Sequence, residues 1–288
     1  MKRLLPLFLL VLLFGGCEGR SSFLSPQGPI AAAQSQHFWY VVTVMMVVCL
    51  PVFIGVPWII LRYRYKHGRG DYSPRWHFSK PLEILVWGVP VLVVIALGIK
   101  LAHATMTLDP YKPLAGDAVE IQVIGYDWKW LFIYPEQGIA TVGDLVFPAD
   151  RPVSFRITSD TVMQSFFIPA LGSQIYAMKG METRLNLAAT GVGEFLGENS
   201  QYSGDGFATQ SFAVHAVSEE DFATWAESGK ADGMPFDRTA LEALQAQSTR
   251  SELLDTLGVS GESVVFTDAP PDLFTSVATD PSRMGAMQ

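Results

Sequence analysis

Apolar positions along the 288 residues change their spacing twice, and each change predicts a different kind of element. The chain opens on uninterrupted apolar runs. Residues 4–14 are apolar, follow Lys2 and Arg3, and lead into Gly15-Gly16-Cys17. A short basic start, a short apolar stretch and small residues before a cleavage point describe a secretory signal. Residues 38–61 contain no charged side chain, and 82–102 carry only Glu83 and Lys100, near opposite ends. Each of these two runs is long enough to cross a hydrocarbon core of ~30 Å as a helix. Pro51 and Pro57 imply a kink in the first crossing rather than a break, because neighbouring helices can re-satisfy the carbonyls that proline frees. His37, Trp39 and Tyr40 at one end, with Trp58 and Tyr63 at the other, suit the two membrane interfaces.

After Pro113 the spacing becomes that of strands. Short runs rich in β-branched and aromatic residues at 118–125, 129–134, 143–148, 152–158, 166–168, 183–188, 193–197 and 209–217 are separated by Gly, Pro and Asp. Alternation is clear at Val153, Phe155 and Ile157, and at Phe212, Val214 and Ala216. Eight such runs with turn signals between them predict a Greek-key β-sandwich. Past Val217 the period turns helical. Ser218 with Asp221 reads as a cap before Phe222, Trp225 and Ala226, and Asp237 as a cap before Ala240, Leu241 and Leu244. Residues 251–257 make a third short helix ending at Gly258, and 270–274 begin a less regular end, with 282–288 expected to be disordered.

Charge supplies the orientation. Between the crossings, Arg62, Arg64, Lys66, Arg69, Arg75 and Lys80 face Asp71 alone, so this loop belongs on the cytoplasmic side. Both ends of the mature chain then lie outside, in agreement with the secretory signal. From His103 onward, 10 Lys and Arg stand against 25 Asp and Glu. Solvation explains so acidic an exterior domain without invoking a docking partner. Two cysteines exist, Cys17 and Cys49, and neither lies in the β-rich part. That part has no internal disulfide, and a thiolate-bridged dinuclear or blue-copper site is excluded because each needs a cysteine there. No nucleotide-binding glycine loop, internal repeat or basic nucleic-acid patch appears. The five histidines, at 37, 67, 77, 103 and 215, share no ligand spacing with one another or with a cysteine. Met163, Met178 and Met181 match no ligand set and read as packing residues.

Several segments, in order, resemble subunit II of the haem-copper oxidases. They are Ser25-Pro26-Gln27-Gly28-Pro29-Ile30, Tyr72-Ser73-Pro74-Arg75-Trp76, the run from Leu82 through Trp87 to Pro90, Gly125-Tyr126-Asp127-Trp128-Lys129-Trp130, and the stretch from Ser165 to Met178. In that family, the stretch matching Gly197–Gln210 is C-x-E-x-C-x-x-x-H-x-x-M and holds a two-copper, electron-receiving centre, with a further histidine upstream. Here those positions carry Asn199, Gln201, Ser203, Phe207 and Gln210, with Gln164 at the upstream one. Amide, hydroxyl and phenyl groups are poor replacements for thiolate and imidazole on copper. The resemblance is therefore to the quinol-oxidising, cytochrome bo-type branch, whose helical tail is matched by Pro271-Asp272-Leu273-Phe274.

The resemblance implies a two-helix transmembrane hairpin followed by an exterior, all-β, cupredoxin-like Greek-key sandwich with a short helical C-terminal extension. The expected map is a lipoprotein-type signal at 1–16, an exterior segment at 17–37, transmembrane helices at 38–61 and 82–102, a cytoplasmic loop at 62–81, a cupredoxin-like domain at 114–217 and the extension at 218–288. Cys17 would be the lipidated first residue of a mature protein in the bacterial inner membrane. The chain would bind no cofactor itself. Subunit I would carry haem and copper, subunits III and IV would complete the complex, and ubiquinol would supply electrons.

Glu83 is the residue with expected chemistry. A carboxylate at the cytoplasmic end of a crossing is costly unless it pairs, reaches water or serves a proton path. Alone it reads as an interfacial acid, paired with Lys80 at i−3; the family's E-x-x-x-W-x-x-P pattern implies instead the mouth of a proton channel. Trp128 and Trp130, at alternate positions, are expected on one sheet face as packing aromatics at a subunit contact, with Asp127 and Lys129 paired on the other. The competing reading is a membrane-tethered, cupredoxin-like binding lipoprotein without an oxidase partner. It explains the signal, crossings and sandwich but gives no reason for Glu83.

Overall fold

The computed structural model describes residues 22–64, 74–75 and 77–279, so the signal, Cys17, most of the loop between the crossings and the last nine residues lie outside it. The chain divides into two compact units, 33–109 and the remainder, which are described in turn.

Helix α1 spans Pro29–Tyr63 and α2 spans Lys80–Thr107. α1 begins before residue 38 because Pro29 suits a first helical position and Ala31, Ala32 and Ala33 extend the helix without a breaker. Pro51 and Pro57 both lie within it. α2 starts after Ser79, with proline in its first turn and Glu83 close to the helix N-terminus, where negative charge is favoured. Lys100 Nζ lies 5.7 Å from the centre of the Tyr40 ring. That contact sets the end of α2 beside the outer part of α1, as an antiparallel hairpin requires. At the other end Arg62 stacks on Trp58 at 5.9 Å. Apolar side chains along both helices are exposed, Phe53 at 75% and Leu92 at 67%. Such a surface suits lipid or protein partners rather than water.

The other unit is a sandwich. Its strands are β1 Val119–Tyr126, β2 Lys129–Tyr134, β3 Ile139–Val142, β4 Asp144–Pro148, β5 Val153–Ser159, β6 Gln164–Phe167, β7 Ile175–Ala177, β8 Thr183–Leu187, β9 Gly193–Asn199 and β10 Ser211–Val217. The segment after 217 supplies α3 Glu219–Asp232, β11 Met234–Pro235, α4 Arg238–Gln245, α5 Arg250–Leu257, β12 Val264–Thr267 and α6 Leu273–Thr279. One sheet runs β11-β12-β3-β2-β1-β5-β8 and the other β4-β10-β9-β6-β7. Between them sits an aromatic core: Trp130, Phe132, Phe155, Phe166 and Phe212, with Phe166 and Phe212 stacked at 5.3 Å.

The extension is helical where expected, capped by Ser218, by Asp237 and by a Thr249–Glu252 capping box, with α5 ending at Gly258 in the left-handed conformation. It also does what the helical period did not announce: β12 pairs with β3 and enlarges the first sheet. A second core lies on that sheet's outer face, where Ile124, Leu131 and Val142 meet Leu244, Leu254 and Phe274. β2 is consequently buried along its whole length, which explains its lack of polar alternation. Gln27 N donates to Ala170 O at 2.8 Å and Ala31 N, in the first turn of α1, to Leu171 O at 3.1 Å, so residues 27–31 are stitched onto the sandwich.

Candidate functional site

Three of the residues that the resemblance matches to copper ligands converge at one end of the sandwich. Gln164 begins β6, Asn199 ends β9, and Gln210 directly precedes β10. All three are buried. Gln164 Nε2 donates to Tyr126 O at 2.9 Å, and its Oε1 accepts from Gln210 Nε2 at 2.6 Å. Gln210 Oε1 accepts from Asn199 Nδ2 at 2.8 Å and from Ser203 Oγ at 3.1 Å. Asn199 Oδ1 accepts from the backbone N–H of Ser165 and of Gln201 at 2.8 and 3.0 Å. The three amides thus satisfy one another and the surrounding backbone, as buried polar groups must.

This set does not fit copper. It offers neutral amides whose donors and acceptors are already engaged with one another, and no thiolate or imidazole. Gln201 contributes through its backbone N–H, and Phe207 opens the short 3-10 turn Phe207–Thr209 with its ring 5.7 Å from Tyr202. Among the described residues no cluster of three or more His, Cys, Asp or Glu could hold a metal ion. His215 lies on β10, 3.8 Å from both Asp144 and Glu194.

The two tryptophans do not share a face. Trp128 lies outside any strand, in the two-residue turn between β1 and β2, with φ 63°. Positive φ costs a non-glycine residue roughly 1–3 kcal/mol, and the indole N–H compensates by donating to Ser203 O at 3.1 Å. Its ring covers Gly206 so closely that any side chain there would collide with it. Trp130 points into the sandwich core, 2% exposed and edge-on to Phe166 at 5.5 Å. It therefore has no surface to offer a partner, which corrects the expectation of a subunit contact; the turn breaks the alternation that suggested it.

Lys129 also departs from expectation. Instead of pairing with the Asp127 carboxylate, its buried ammonium donates to Ala246 O at 2.8 Å, to Ser248 O and Ser248 Oγ at 3.0 Å each, and to Asp127 O at 3.2 Å. Burial pushes it down to about 8, against the opposing pull of Asp127 and Glu252. The turn at 127–129 thus holds the 203–206 loop through Trp128 and the link between α4 and α5 through Lys129. Nothing in the sequence announced this role for Lys129 beyond a charge set between two tryptophans.

In the membrane unit, the Glu83 carboxylate has no ion pair with Lys80. Trp87 Nε1, one turn further along α2, donates to Glu83 Oε2 at 3.1 Å. Sequence reasoning singled out Glu83 and overlooked this partner, although the i, i+4 spacing was readable.

The family described as cytochrome c oxidase subunit II, periplasmic domain, matches residues 137–217, a span containing Gln164 and the 197–210 loop. The chain is similar to cytochrome bo(3) ubiquinol oxidase subunit 2 of Pseudomonas putida, 43% identical over 269 residues, covering 93% of this chain and 82% of that protein. It is similar to ubiquinol oxidase subunit 2 of Acetobacter aceti, 41% identical, covering 82% and 78%. Quinol oxidase subunit 2 of Bacillus subtilis is 36% identical, covering 88% and 80%.

Proposed function

The chain belongs to the subunit 2 family of quinol oxidases, and from that premise we propose that it serves a complex passing electrons from ubiquinol to oxygen while having no redox centre of its own. One observation carries this reading: the positions that would hold a dinuclear copper centre form a closed network of amides. The electron-receiving module has become a structural cap, held together by hydrogen bonds in place of metal–ligand bonds. Haem and copper then reside in subunit I, which this chain contacts, and subunits III and IV complete the assembly. The binding-lipoprotein alternative gives no account of similarity that extends across both crossings.

The chain is placed in the inner membrane as a two-pass protein. The basic 62–81 loop faces the cytoplasm, the termini face outward, and Cys17 carries the lipid. Purification of the complex in mild detergent tests the reading. Haem and copper should be found with the large subunit, oxygen uptake should follow added ubiquinol, and reduced cytochrome c should not support it. Copper stoichiometry requiring a dinuclear site in this chain, with turnover on cytochrome c, would overturn the proposal.

Within that complex, Glu83 takes up protons from the cytoplasmic side and passes them towards the catalytic subunit. Position in the first turn of α2, exposure on the hairpin and the neutral hydrogen-bond partner all support this role. Glu83→Gln keeps size and hydrogen bonding but cannot ionise, so it should slow quinol oxidation while haem content and subunit stoichiometry stay normal. Unchanged proton uptake in that variant would remove Glu83 from the path.

A further inference from the structure

We infer that Trp87 is a positioning residue for proton uptake, holding the Glu83 carboxylate in one orientation through its indole N–H; this rests on the proposed proton role of Glu83. Nε1 of Trp87 donates to Oε2 of Glu83 at 3.1 Å, across one turn of α2. Both residues are exposed, Trp87 at 70%, so nothing else in the described chain holds the pair. A glutamate at such a site has three rotatable bonds, and an unrestrained carboxylate would sample many orientations. The indole ties down Oε2 and leaves both lone pairs of Oε1 free for an incoming proton.

The chemistry of the donor matters. Indole N–H is a donor only, with no lone pair to accept a proton and no charge near neutrality. It can orient the carboxylate without competing for the proton it collects. A lysine or histidine partner would orient it too, but would add a positive charge and, for histidine, a second proton acceptor. Lys80 is close in sequence yet makes no ion pair with Glu83 in the structure, and the contact to the carboxylate is the indole N–H. The bland role for Trp87, a ring anchoring the helix at the interface, needs the aromatic surface but not the N–H.

The two roles separate by substitution in the assembled complex. Trp87→Phe keeps an aromatic ring and removes the donor; Trp87→Gln removes the ring and restores an N–H donor at the same i+4 position. Proton uptake is followed with a pH-indicating dye after an oxygen pulse to the reduced complex, alongside quinol turnover and haem content. Trp87→Phe should slow the uptake phase roughly two- to tenfold, the effect of losing one hydrogen bond. Trp87→Gln should recover most of that loss, and Trp87→Phe on a Glu83→Gln background should add nothing further. Normal uptake in Trp87→Phe with a defect in Trp87→Gln would assign the ring to anchoring and overturn the inference. Should Glu83→Gln itself take up protons at the normal rate, the parent reading fails and the inference falls with it. Slow uptake in Glu83→Gln with normal uptake in both Trp87 variants would overturn the inference alone.

Discussion

Individual side chains in and around the amide network have unequal weight. Asn199 joins four partners: two backbone N–H groups through Oδ1, and Gln210 and Ser203 through Nδ2. Asn199→Leu strands buried donors and acceptors on several sides and should cost roughly 2–4 kcal/mol in urea unfolding of the full chain. Gln201 occupies an equally prominent position in the family pattern, yet its place in the network is through the backbone. Gln201→Ala should shift stability by less than ~0.5 kcal/mol. A large loss at 201 with none at 199 would contradict the network. Lys129 offers a test with a sign. Its folded-state value, about 8, lies below the ordinary 10.5. Between those values the unfolded chain holds a proton that the folded chain has lost, so stability rises with pH across the window. The cost of the buried ammonium is therefore fully present below about pH 8 and relieved as pH approaches the unfolded value. The unfolding free energy of the wild type minus that of Lys129→Met should climb over this interval. A flat difference would mean the ammonium is not penalised by burial.

At the level of elements, the C-terminal extension works as a second wall rather than a loose appendage. α4, α5 and α6 cover the outer face of the seven-stranded sheet, and β12 extends it. Arg156 fastens α6: its guanidinium stacks on Phe274 at 4.9 Å while donating to Glu182 at 2.7 Å and to Glu120 at 3.2 Å. The buried ring bears most of the weight, because part-exposed ion pairs contribute little. Phe274→Ala should cost roughly 3–5 kcal/mol in the same urea titration. Arg156→Met, which keeps apolar contact with the ring, should cost clearly less. The reverse order would place the binding of α6 in its ion pairs. The caps of α3 and α4 were legible because side-chain oxygens at Ser218 and Asp237 must satisfy N–H groups that a helix leaves open, whereas the Thr249–Glu252 capping box of α5 was overlooked. β3 and β7 were not legible. They have four and three residues, too short to show a period. β3 also runs into Gly143, whose φ of 106° marks the turn to β4.

For the whole molecule, orientation is the property most open to test. A membrane-impermeant thiol reagent applied to spheroplasts should label Thr275→Cys on the exposed side of α6. It should reach His67→Cys, in the basic loop, only after the membrane is opened. The opposite pattern would invert the topology. Natural Cys49 serves as an internal control, since it lies within α1 in the span expected to be in the membrane.

By itself the sequence determined the two long apolar helices, the sandwich and the absence of any cysteine from the sandwich. These follow from counts and periods along the chain: long uncharged runs, alternation in strands, and no cysteine in the domain. Tertiary structure decided what has no local signature. Which way Trp128 and Trp130 point depended on a turn that breaks the strand between them. That Gln164, Asn199 and Gln210 complete one network depended on bringing together residues 46 apart across two strands and a loop. Lys129 found most of its acceptors at 246 and 248, more than a hundred positions away, because a buried ammonium requires several oxygens and its own turn supplies one, Asp127 O.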